Sequence, residues 1–163
     1  MHLGETLLVL GALVIFSMAT LHLNDSKLEN DIKIMETEFK TTAIGIAQSF
    51  IEEAQALEFD EVLHDTSFTG FVGTVPGGFT APASLGPETG ETFFDDVDDF
   101  NGYSANINTP RADYNVNITV SYADSATITP GFANKSFLKV MVINIKSDFF
   151  RDSLKLDYVH SFR

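Results

Sequence analysis

Asp95, Asp96, Asp98 and Asp99 crowd into the run Phe93-Phe94-Asp95-Asp96-Val97-Asp98-Asp99-Phe100-Asn101-Gly102-Tyr103. Clustered carboxylates are the donor set that a hard cation such as calcium takes up. The EF-hand register fails, because Gly102 at the sixth position of such a loop puts Val97 at the first, where an aspartate is needed. The stretch reads as a solvated acidic turn, with a bound calcium ion as the alternative. His2, His22, His64 and His160 are too scattered to suggest a metal site. The sequence holds no serine–histidine–aspartate arrangement, phosphate-cradling glycine loop or nucleophile elbow. It also has no cysteine for a thiolate nucleophile, a thiolate metal site or a disulfide. These residues give no catalytic centre and call for no cofactor, so the chain reads as a non-enzyme. The sequons Asn117-Ile118-Thr119 and Asn134-Lys135-Ser136 permit glycosylation.

Glu5 stands apart because of its setting. It precedes the stretch Leu7 to Leu23, LLVLGALVIFSMATLHL, in which only Gly11, Ser17, Thr20 and His22 are not plainly apolar. As a helix, residues 1–23 span roughly 34 Å, enough to cross a hydrocarbon core. The apolar residues surround the helix, as a membrane span or a buried bundle core requires. A cleaved secretory signal is the competing reading, but no basic segment precedes the run and no clear small-x-small site ends it. An unpaired carboxylate at mid-membrane costs about 2.5–3.5 kcal/mol. Glu5 therefore either sits among headgroups as a helix-N-terminal acid, favoured by the macrodipole, or neutralises a cation on another copy of the chain.

No proline occurs between Met1 and Val75, so the helix is expected to run on. Leu28, Ile32, Met35, Phe39, Ala43, Ile46, Phe50, Ala54 and Leu57 recur at steps of three or four, one apolar stripe on an amphipathic helix. Residues 1–57 would form one helix of roughly 80–85 Å. A head of some 100 residues has a radius of gyration of about 13 Å and cannot cover such a rod. The front half must be buried in lipid or against other subunits.

Residues 58–115 read as an irregular region, punctuated by Gly70, Gly73, Pro76, Gly77, Gly78, Pro82, Gly86, Pro87 and Gly90. Phe68, Phe71, Phe79, Phe93, Phe94 and Phe100 argue that it is packed. Residues 116–163 read as an antiparallel sheet. Val116, Ile118, Val120 and Tyr122 alternate in one strand, residues 137–146 form a second, and Leu154, Leu156 and Tyr158 share a face of a third. The fold class is α+β, with the helix stripe packed on the sheet. The 163 residues carry a formal charge of −13, which disfavours nucleic-acid binding. The composition, 44% hydrophobic and 20% charged, does not suit wholesale disorder, collagen or a membrane bundle.

Glu at the fifth position, an apolar stretch to about residue 23, an amphipathic continuation and a C-terminal antiparallel sheet together resemble bacterial type IV pilins. The related pseudopilins of type II secretion share the plan. The run Phe93 to Tyr103 is similar to the acidic-aromatic stretch of some pilin-like proteins, including the mannose-sensitive haemagglutinin pilus group. The resemblance implies a leader removed by a prepilin peptidase, which methylates the new N-terminus, so that Met1 is read as the mature first residue. It implies that Glu5 pairs with the Met1 amine of a neighbouring subunit. Leu3, Leu7, Leu10, Val14 and their neighbours would supply most of the assembly contact. The subunit would wait in the inner membrane and then be extracted by the assembly machinery into an extracellular adhesive pilus, a homo-oligomeric helical filament. A secretion pseudopilin and a single-span monomeric sensor or binding domain are the alternatives. Where family members carry a proline near position 22, this chain has His22, and the Ser17, Thr20, His22 and Asn24 cluster leaves local melting of the helix open.

Charge is segregated. Residues 24–115 hold 18 acids and four bases, residues 116–163 four acids and six bases: Lys135, Lys139, Lys146, Arg151, Lys155 and Arg163. The sheet region of one subunit could meet the acidic middle of another, with charge reversal at Lys139 or Lys155 as the test. A solvated surface is the alternative.

Overall fold

Helix α1 runs without interruption from Leu3 to Gln55 in the computed structural model of the chain, which describes residues 3–64, 73–88, 90 and 93–162. The polar cluster from Ser17 to Asn24 does not melt it. Its hydroxyls help to explain why. Thr20 Oγ1 donates to the Phe16 carbonyl at 2.8 Å and Thr6 Oγ1 to that of Leu3 at 2.9 Å. Such side chains are satisfied within their own helix and need no water. Further on, Lys33 pairs with Glu29 at 2.7 Å in the favoured i, i+4 order.

The chain divides into two units between Phe39 and Lys40. In the first, Leu28, Ile32 and Met35 of the expected stripe are exposed. In the second, the stripe is buried through Ala43, Phe50 and Ala54, with Ile46 and Leu57 half-buried, and Ala47 beside it is buried too. Phe50 meets Phe100 edge-on at 6.3 Å and Tyr103 at 5.4 Å. Phe39, the last residue of the first unit, is buried as well. Beyond α1 comes the single turn α2, Glu61–His64.

Four strands follow: β1 Ser104–Asn108, β2 Asp113–Tyr122, β3 Leu138–Lys146 and β4 Leu154–Ser161. They pair in sequence order, antiparallel throughout. The expected α+β layout, a long helix on an antiparallel meander, is the observed one. β2 alternates as its sequence dictates, burying Tyr114, Val116, Ile118, Val120 and Tyr122. β4 turns Leu154, Leu156 and Tyr158 to one side. β3 is central and buried on both faces, with Met141, Ile143 and Ile145 opposite Val120, Ile118 and Val116.

The region expected to be irregular holds one more strand than the sequence suggested. β1 is short and asparagine-rich, its burial only partial, so its alternation is weak. A turn at Thr109, whose hydroxyl donates to the Ala112 carbonyl at 2.7 Å and accepts its N–H at 3.1 Å, returns it to β2. Phe79, Phe94 and Phe100 are packed as expected, whereas Phe93 is exposed. Phe68 and Phe71 lie outside the described residues.

Candidate functional site

Leu3, Leu7, Leu10 and Val14 follow one another at steps of four, three and four along α1, and each is more than half exposed. Leu8, Val9, Ile15, Phe16, Met18, Leu21 and Leu23 are exposed as well. The front of α1 is long and apolar enough to cross a membrane, and its apolar residues are exposed among the described residues, so it can anchor the protein there. A contiguous apolar surface of this size marks a partner or a lipid phase. Glu5 lies in the first turn of the helix, exposed within that apolar surface. Met1, its expected counterpart on a neighbour, lies outside the described residues.

The acidic run departs from expectation. Asp96, Asp98 and Asp99 are not solvated; all are buried, and Asp95 is half-buried. The cause is the segment that leaves α1. Glu58 donates its N–H to the Asp95 carbonyl and accepts that of Val97, at 3.2 and 3.1 Å, so residues 58–60 run beside the aspartates and cover them. The run turns back on itself in a 3₁₀ turn at Asp98–Phe100. Asp96 Oδ1 accepts the N–H groups of Asp98 and Asp99 at 2.8 and 3.3 Å, and Asp99 Oδ2 those of Asp95 and Asp96 at 2.9 and 3.4 Å. Asn101 then ties the turn down, donating to the Leu85 carbonyl and accepting from Val120 N–H at 2.8 and 2.9 Å. Gly102 continues the chain at φ +83°, a conformation that favours glycine.

Lys139 supplies the opposing charge. It projects from the inner face of β3, fully buried, beside Tyr122 on β2 and His160 on β4 in the strand register. Its Nζ donates to the Phe59 carbonyl, to Asp60 Oδ2 at 3.0 Å and to Asp98 Oδ1. The ring centroids of Phe59 and Tyr122 lie 4.7 and 5.5 Å from it. Asp60 is further held by the Thr80 N–H at 3.1 and 3.0 Å and by the Tyr122 hydroxyl at 3.2 Å. Burial, then the neighbouring charge of Asp98, pushes the Asp96 carboxyl up to about 9. Burial also raises Asp98 against the attraction of Lys139, and raises the Tyr122 hydroxyl. Asp96 therefore keeps its proton at neutral pH, beside Asp98.

Among the described residues no group of three or more histidines, aspartates and glutamates is placed to hold a metal ion. The acidic run that suggested calcium faces an internal ammonium instead. Lys139 cannot serve in a contact between subunits, since its charge is buried and paired; charge reversal there would break the core. Lys155 is exposed and pairs with Asp157 at 3.2 Å. The membership of Asp60, Tyr122 and Lys139 in this cluster was missed in the sequence. The available signal was Lys139 itself, standing in alternation with Met141, Ile143 and Ile145, where a lysine requires a buried acid. No family model, curated protein or solved structure matches the chain.

Proposed function

We propose that this protein is a structural subunit, not an enzyme, which polymerises into a helical type IV pilus-like surface filament through the front of α1. The observation that carries the reading is the all-round apolar surface from Leu3 to Leu23, exposed among the described residues. In a membrane lipid covers it; in a filament the same surface of other copies takes over. Heterologous contacts of this kind propagate rather than close. At about 25 cal/mol per Å² of apolar area removed from water, some twenty such residues hold subunits together amply. Glu5 meets the Met1 amine of a neighbour in this arrangement, each charge being costly alone in a water-poor core and tolerable as a pair.

The test is electron microscopy of sheared surface material from cells making the parent chain or Glu5→Ala and Glu5→Lys. The parent is expected to give long filaments with a mass-identified N-terminal residue. Both variants are expected to remain in the membrane and give few or none. Normal filament yield from both removes Glu5 from assembly, and a parent that stays a detergent-free monomer removes the filament itself.

A further inference from the structure

The geometry points to a covalent cross-link: Lys139 Nζ and Asp98 Cγ condense to an isopeptide bond inside the folded head, joining the 3₁₀ turn to β3. The inference is independent of the filament reading.

Amide formation between side chains needs the amine and the carboxyl held together, water kept out, and groups that relay protons. All three are present. Lys139 Nζ is in direct contact with the Asp98 carboxyl, and both residues are fully buried. Fixing two reactants in contact is worth effective concentrations of about 10⁵–10⁸ M. The surrounding walls are aromatic, with Phe59 and Tyr122 over the amine, and such a setting disfavours a separated ammonium and carboxylate. Condensation removes that charge pair altogether.

The two flanking acids take different roles. Asp60 is held in place by Thr80 and Tyr122 and lies 3.0 Å from Nζ, so it is the group placed to accept the ammonium proton. Asp98 is the electrophile: Nζ meets its carboxyl at Oδ1, and its buried Oδ2 has no hydrogen-bond donor. In the step the proton held by Asp96 passes to the Asp98 carboxyl and neutralises it. The freed Nζ lone pair attacks Cγ, the C–N bond forms, and one C–O bond breaks. Its oxygen departs as water with one proton from Asp96 and one from the nitrogen. One proton stays with the Asp60 and Asp96 pair, as one was there at the start, and nothing is oxidised or reduced. The link closes a loop across 41 residues in a chain that has no cysteine to staple it.

The experiment is mass spectrometry on the full chain purified in detergent, then denatured and digested with trypsin. The expected result is a deficit of about 18 Da, one water, carried by a branched peptide in which Ser136–Lys146, uncut at Lys139, is joined to Thr41–Arg111. Asp98→Asn is expected to lose ammonia instead, about 17 Da, at the same junction. Asp98→Ala is expected to show neither deficit. Cleavage after Lys139 in parent protein of full sequence mass overturns the proposal, and so does a deficit located in any other peptide.

Discussion

Replacing Asp96 by asparagine should stabilise the head at neutral pH and flatten its pH dependence. Asp96 has an ordinary value of 3.8 and is held near 9, so between those limits the folded chain binds a proton that the unfolded chain has released. A raised pKa gives stability that is full below the unfolded value and is lost as pH rises through the folded one. From about pH 4 to about 9 the parent should weaken steadily, by at most about 1.4 kcal/mol per pH unit. Between 3.8 and 7 that amounts to about 4 kcal/mol as a ceiling, and asparagine should recover roughly 2–4 of it at pH 7. The amide fits the site: its oxygen can take the N–H groups of Asp98 and Asp99 that Oδ1 accepts, and its NH₂ takes the place of the protonated oxygen with no charge to titrate. Urea titrations in detergent at pH 5, 7 and 8.5 measure this by tyrosine fluorescence, since Tyr103, Tyr114, Tyr122 and Tyr158 all lie in the second unit. Parallel pH profiles for parent and variant, or a variant weaker than its parent at pH 8.5, would refute the placing of the proton on Asp96.

Phe50→Ala should cost about 3–4 kcal/mol in the same titrations, because it empties a buried aromatic site against Phe100 and Tyr103; a loss below about 1 kcal/mol would mean that the rear of α1 does not pack there. Ile128 is exposed at φ +54°, a left-handed conformation unfavourable to a β-branched residue. Ile128→Asn should therefore gain about 1 kcal/mol, and an unchanged urea midpoint would contradict the strain.

The strands and the helix were legible because their patterns are local. Val116 to Tyr122 alternates cleanly, and no proline interrupts the 53 residues of α1. The rear stripe was legible only in part: Leu28, Ile32 and Met35 fit its spacing as well as Ala43 and Phe50 do, but periodicity does not show how far along the helix the cover extends. β1 was hidden by its composition, Ser-Ala-Asn-Ile-Asn, which reads equally as loop. The buried cluster was hidden by sequence distance. Asp60, Asp98 and Lys139 meet across separations of 41 and 79 residues, and an acidic run read alone carries no sign of the lysine that will face it.

Three buried charges are poor evidence for stability, since desolvating each costs several kcal/mol that only complete pairing offsets. What the cluster provides is register. A slip of β3 by one residue would carry Lys139 to the opposite face of the sheet and leave Asp60 and Asp98 as uncompensated buried acids. A leucine at position 139 could impose no such penalty, because β3 is apolar on both faces and would accept it in either. The cluster also sets an order of events. Lys139 reaches its place only when β3 has paired with β2, opposite Tyr122, and Asp98 reaches its own only when the 3₁₀ turn is anchored to β2 through Asn101. An isopeptide bond formed between them would therefore follow correct pairing rather than direct it, sealing a register that the charges have already selected.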